Sequence, residues 1–133
     1  MTEAAAEDPR LSRLTDICLA LPETSREVTG EHASFQVRKK TFAWFLSDHH
    51  GDGMVSVCCR MALGENADRV KADPERFYLP AYVAHRGWVA LRLDLGEVDW
   101  REVAELVADS YSLVAPKKLA QLAFASSDQE RER

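Results

Sequence analysis

Apolar residues recur along this chain at two spacings, and the switches between them predict the elements. Leu11, Leu14, Ile17, Cys18 and Leu21 follow one another at steps of three or four, the period of a helix with one buried face. Asp8 and Pro9 supply its start, a capping side chain ahead of a proline whose missing N–H would go unpaired anyway; Pro22 lies past its end. "HASFQV" and "TFAWFL" then read as two strands separated by the charged "RKK". "MVSVCCR" reads as a third, alternating so that Val55, Val57 and Cys59 face the core. The aromatic run Phe42, Trp44, Phe45 reads as buried strand. Glu23, Glu27 and Glu31 are bracketed by Pro22 and Gly30 and read as a solvated acidic loop.

"GENADRVKAD" has little apolar stripe and predicts a short polar helix on the rim. "DPERFYLP", with a proline near each end, predicts a turn with a helical start. "AYVAHRGWVALRLDL" predicts a hairpin turning near His85, Arg86 and Gly87. Its second strand sets Val89, Leu91 and Leu93 on one face and Trp88, Ala90 and Arg92 on the other. Asp99 opens the clearest helix, with Glu102 three residues on in the manner of a capping box. Trp100, Val103, Leu106, Val107, Tyr111 and Val114 carry its stripe. Pro116 breaks it and starts a short final helix, with Leu119, Leu122 and Phe124 as apolar contacts.

The order α-β3-α-β2-α predicts an α+β protein. It is a two-layer sandwich in which an antiparallel sheet of five to six strands packs against the N- and C-terminal helices. A chain of 133 residues, 46% apolar, fits one domain with one core. That domain is placed at 8–124, with 1–7 and 125–133 as flexible tails.

No apolar run approaches the roughly 18 residues needed to cross a bilayer, and the acidic start does not resemble a secretory leader. The three cysteines follow no disulfide spacing, and Cys58 and Cys59 are adjacent on a strand, so they point to opposite faces. Reduced cysteines and a cytoplasmic location are expected. The net charge of −5 argues against a dedicated nucleic-acid protein but is unevenly spread. Residues 32–93 carry nine Lys and Arg against six Asp and Glu, while both flanks are acidic. The basic middle leaves room for one local anionic partner.

Chemistry is sparse. "DHHGDG" is rich in metal ligands, but His32 and His85 stand alone elsewhere, with no acid or cysteine spaced to help. Two glycines and two aspartates between "FAWFL" and "MVSV" suit a hairpin turn, and a turn is what the run predicts. Neither a nucleophile elbow nor a phosphate-binding glycine loop is present. No cofactor and no metal are expected. What remains is basic: Arg38, Lys39 and Lys40 at one turn, Arg86 at another, and Lys117 and Lys118 at the start of the last helix. If the two turns share one end of the sheet, they form basic wings able to touch phosphates. An exposed Trp88, with Arg92, would add stacking on a single strand.

At these residues the chain resembles the MmcQ/YjbR family of small bacterial proteins. "KTFAWF", "GWVALRLD" and "DSYSLVAPKKL" carry the resemblance in order, over about residues 10–124. The Ser110-Tyr111 pair and the Gly-Trp opening of the last strand are its most specific parts. The resemblance implies a fold similar to CyaY-like and secretion-chaperone-like proteins, and a DNA-binding role by analogy with a double-wing arrangement. Carried over by position, the implied contacts are Lys39, Lys40 and Arg86. The expectation is a non-enzymatic protein that binds DNA with weak sequence specificity. The rival is a protein-interaction or chaperone-like module using the sheet face around Trp88 or the apolar side of the last helix. An enzyme would need a pocket uniting residues such as His32, His85 and Tyr82.

Overall fold

The computed structural model describes residues 7–48, 51 and 53–123. Helix α1 (Pro9–Leu19) starts as its sequence dictates: the Asp8 carboxylate accepts the Arg10 amide at 2.9 Å, with Pro9 in the first turn. Leu11, Leu14 and Cys18 are its buried face. Four strands follow, β1 (Thr24–Thr29), β2 (His32–Val37), β3 (Lys40–Ser47) and β4 (Val55–Arg60), then α2 (Glu65–Ala72), β5 (Phe77–Tyr78), β6 (Trp88–Arg92) and α3 (Trp100–Val114). A last helical segment occupies 117–123. The six strands form one antiparallel sheet in the order β1-β2-β3-β4-β6-β5.

One sheet face carries Phe35, Val37, Ala43, Phe45, Val57, Cys59, Val89 and Leu91, and α1 and α3 close over it with Leu14, Val103, Val107 and Tyr111. The other face has a small core of its own, in which Leu46, Cys58 and Trp88 pack with Val83 from the segment ahead of β6. Cys58 and Cys59 therefore sit in different cores, as strand alternation requires. No described helix is long and apolar enough to cross a membrane.

The α+β, sheet-and-helix architecture stands as expected; the element order does not. Four strands precede α2, because residues 24–29 form β1 rather than a loop. This edge strand is exposed along nearly its whole length, so it has no apolar alternation to announce it. Its six register pairs with β2, from Thr24↔Val37 to Thr29↔His32, make it a strand. The expected first strand of the last hairpin is also absent. Its place beside β6 is taken by Phe77 and Tyr78, opposite Leu91 and Ala90, in a stretch that reads as a turn from sequence. Residues 81–86 are instead turns ending in the 3₁₀ turn Ala84–Arg86, with Tyr82 at φ 71°. Asp99 caps α3 by accepting the amides of Arg101 and Glu102, but Glu102 does not reach back. Its carboxylate holds both arms of the Arg76 guanidinium, at 2.6 and 3.2 Å, and ties the β5 approach to α3.

Candidate nucleic-acid interface

Val37 pairs with Lys40, so the β2–β3 connection is a two-residue turn made of Arg38 and Lys39 alone. Both take left-handed backbone, at φ 50° and 68°. This is the geometry of a type I′ hairpin turn, which normally takes Asn-Gly, because a side chain there costs about 1–2 kcal/mol per residue. The long cationic side chains are held at the tip against local preference. Lys39→Gly is accordingly expected to raise stability by about 1 kcal/mol, or a few degrees in thermal midpoint. A calorimetric melt of the two proteins checks it.

Arg38 and Glu23 meet as two parallel hydrogen bonds, 2.8 and 2.9 Å, on the exposed surface. The guanidinium holds the Glu23 carboxyl below the usual carboxylate range. Glu23 is itself left-handed, at φ 56°.

The second basic turn lies at the same end of the sheet. β3 runs upward from Lys40, β4 returns to Arg60, and β6 starts at Trp88 opposite Arg60. Arg86 and the β2–β3 turn are thus about two strand spacings apart, on the order of 10 Å. Gly87 closes the 3₁₀ turn in left-handed backbone (φ 97°), and its N–H donates to the Ala84 carbonyl. Its own carbonyl accepts the Met61 amide at 2.8 Å. Between the two turns stands Arg60, exposed at the end of β4, its Nε donating to the Arg86 carbonyl at 3.2 Å. Sequence reading missed Arg60 because it closes an ordinary strand; only the register places it between the turns.

The Ser110-Tyr111 pair organises this end from the other layer. Between β2 and β3 the register slips, so that Phe35 faces Ala43, Gln36 faces Thr41 and Phe42 is an extra, bulged residue. Ladder pairing of β3 with β4 stops at Ala43↔Cys59. The next bond would join the Phe42 carbonyl to the Arg60 amide, and the buried Ser110 hydroxyl takes its place. It donates to the Phe42 carbonyl at 2.5 Å and accepts the Arg60 N–H at 2.9 Å. The Tyr111 ring meets the Phe42 ring edge-on, centroids 5.4 Å apart, and its hydroxyl donates to the Pro22 carbonyl at 2.7 Å. Burial raises the pKa of the Tyr111 hydroxyl.

Lys117 and Lys118 follow directly from the end of α3 nearest this edge and are exposed, while Leu119 anchors their segment in the core. Arg38, Lys39, Lys40, Arg86, Lys117 and Lys118 are all exposed. Among the described residues only Arg38 of these six forms an ion pair. A groove of about 270 Å³ beside Arg60 is lined by Met61, Glu65, Leu106, Asp109 and Leu113. Burial, then repulsion from Glu105, raises the Asp109 carboxyl pKa.

Trp88 corrects the stacking expectation. It is 8% exposed, packed with Leu46 and Cys58, because the 79–87 segment folds over that part of the sheet. It offers no ring face, and the exposed tryptophan of the sheet is Trp44, at 38%. The reading of Trp44 as buried fails because it points away from α1 and α3, to the outer face, at a place outside the cluster that Val83 covers. Arg92 is held by Asp94 through two hydrogen bonds of 3.1 and 2.9 Å. The apolar side of α3 is likewise spent in the core.

The turn after β3 is a turn. The Asp48 amide donates to the Met54 carbonyl at 2.8 Å, its carboxylate accepts the Gly53 amide at 2.6 Å, and Gly51 and Gly53 are left-handed. His49, His50 and Asp52 lie outside the described residues, as does Phe124. No group of three or more His, Cys, Asp or Glu gathers for a metal among the described residues. His32 accepts the Ser47 amide at the opposite end of the sheet from Tyr82 and His85, so these three do not converge.

A family model described as YjbR matches residues 19–113. Among solved structures, Deinococcus radiodurans protein DR2400, with family-model domain DUF419, is similar in fold. Its TM-score is 0.63 at 21% identity, with 81% of each chain covered. No curated protein matches.

Proposed function

Taking as premise that this chain belongs to the YjbR family, we propose that it is a non-enzymatic protein that binds nucleic-acid backbone at the basic end of its sheet. One observation carries the reading. Lys39, Lys40, Arg60 and Arg86 lie at one end of the sheet of an acidic protein, with Lys117 and Lys118 exposed a few residues past Ser110, which bonds to that end, and no described acid forms an ion pair with them. Two further features support it. Charged side chains hold left-handed positions where Asn-Gly would be more stable, the kind of local strain found at functional sites. The Ser110 bridge fixes both strand ends that bear the cations.

The mechanism is electrostatic. Lysine and arginine at the turns neutralise phosphates and release counterions, which gives affinity without sequence reading. α1 and α3, the two longest described helices, lay their apolar faces on the sheet, which supports a reading with weak sequence specificity. Arg38 can join only by exchanging the Glu23 carboxylate for a phosphate, which matches its fork equally well.

Fluorescence anisotropy of labelled duplex and single-stranded DNA at about 50 and 200 mM salt tests this. Four phosphate contacts predict a loss of affinity of about 100-fold across that range. Lys39→Ala, Lys40→Ala and Arg86→Ala combined are expected to flatten the salt slope by about three contacts. Absence of binding to both duplex and single-stranded DNA at the lower salt would overturn the proposal.

A further inference from the structure

We infer that the nucleic acid taken by this end is single-stranded, with one base stacked on Trp44; the inference rests on the function proposed above. Trp44 occupies the middle of β3, near the centre of the sheet, on the face away from α1 and α3. Its cross-strand neighbours are Ser34 on β2 and Cys58 on β4, both small and both buried. The indole thus stands above two low neighbours with a large part of its surface in water.

The cations near it all lie toward one end of the sheet, while on the β1 side Glu27 stands opposite Ser34 on the same face, its carboxylate accepting from the Gln36 side chain at 3.4 Å. Arg60 lies two residues beyond Cys58 on the same face, a diagonal neighbour of Trp44 at about 8 Å. Beyond Arg60 stand the Arg38-Lys39 and Arg86 turns. Along β3 the distance from Trp44 to Lys40 is about 10–13 Å, and Lys40, the partner of Val37, leaves the sheet on the α1 and α3 side of this end. Gln36 and Thr41, a cross-strand pair on this face, supply hydrogen-bonding groups along the way. An aromatic platform leading into a cationic rim is the arrangement that holds a strand whose bases are free to turn outward. A duplex keeps its bases stacked inside and has nothing to offer Trp44. An apolar protein surface would gain from the indole but would leave Arg60 and the turn cations unmatched.

The protein provides its own probe. Of its three tryptophans, Trp88 is buried, and Trp100 lies beneath Arg13, 5.7 Å from the ring centroid, at the start of α3. Titration with an oligo(dT) of about 20 nucleotides is expected to quench tryptophan emission, and a duplex of equal length is not. Trp44→Leu should abolish the quench and weaken oligo(dT) binding about tenfold while leaving duplex binding unchanged; Trp44→Phe should fall between. Circular dichroism and a thermal melt confirm that the variants fold. If affinity and emission are indifferent to residue 44 while Lys39→Ala, Lys40→Ala and Arg86→Ala still flatten the salt slope, the stacking inference is wrong and the phosphate-binding site stands. If neither oligonucleotide binds at about 50 mM salt, both readings fall, and the Trp44 face passes to a protein partner.

Discussion

Gly87→Ala is expected to remove a large part of the protein's stability. Two independent effects add. The backbone at Gly87 is left-handed (φ 97°), which costs an alanine about 1–2 kcal/mol. A methyl group there would also lie 2.3 Å from the Met61 carbonyl oxygen, a backbone atom that cannot swing aside. Relief requires the two chains to part, which breaks the Met61 N–H bond to the Gly87 carbonyl and disturbs the start of β6. The expected loss is about 4 kcal/mol or more, against a total stability of about 5–15 kcal/mol for a domain of this size. Gly96→Ala is the matching control. Gly96 is also left-handed (φ 79°), but nothing lies within 4 Å of an added methyl. It should lose only the conformational part, about 1–2 kcal/mol. Urea midpoints of the three proteins decide the matter. Equal losses in the two variants would show that Met61 moves freely and that the close approach is unimportant.

Ser110→Ala is expected to lose about 2–4 kcal/mol, far more than a serine-to-alanine change on a helix surface. Removing the hydroxyl leaves the Phe42 carbonyl and the Arg60 amide facing each other across a gap with no partner, each a desolvated group costing about 1–3 kcal/mol. Tyr111→Phe deletes only the bond to the Pro22 carbonyl and keeps the ring on Phe42, so about 1 kcal/mol is expected. Amide exchange adds a residue-specific readout. The Arg60 N–H should be well protected in the natural protein and exchange much faster in Ser110→Ala, with amides in the middle of β4 changing less. Uniform acceleration along β4 would mean that Ser110 contributes to general packing rather than to this one junction.

The periodic elements were legible in the sequence because burial imposes their period. α1, α3 and β4 each turn one face to the core between sheet and helices, and the residues expected on those faces are there. Residues 24–29 were not legible because an exposed edge strand answers to hydrogen bonding rather than to burial. Residues 81–86 misled for the opposite reason: Tyr82 and Val83 have strand composition, but a left-handed Tyr82 and a 3₁₀ turn route the chain over the outer face to cover Cys58. The basic positions were readable as turn residues and proved exposed. That they share an end with Arg60 follows from strand register, which the sequence does not display. Trp88 and Trp44 show the limit most plainly. Both lie on the same sheet face, and which is covered depends on the path of a loop.

The Ser110 bridge also bears on when the molecule can be completed. Phe42 and Arg60 are drawn together by a residue 68 and 50 positions further along the chain, and Tyr111 closes onto a carbonyl 89 positions behind it. On a ribosome, β1 to β4 emerge and can begin to pair long before Ser110 is synthesised. Their shared lower end must wait, with the Phe42 ring uncovered, until the last helix is released. Such distant closure slows folding and favours a single late, all-or-none step. A chain stopped before Ser110 would carry all six strands of the sheet and still present an open seam, making it a substrate for chaperones and proteases rather than a smaller working domain.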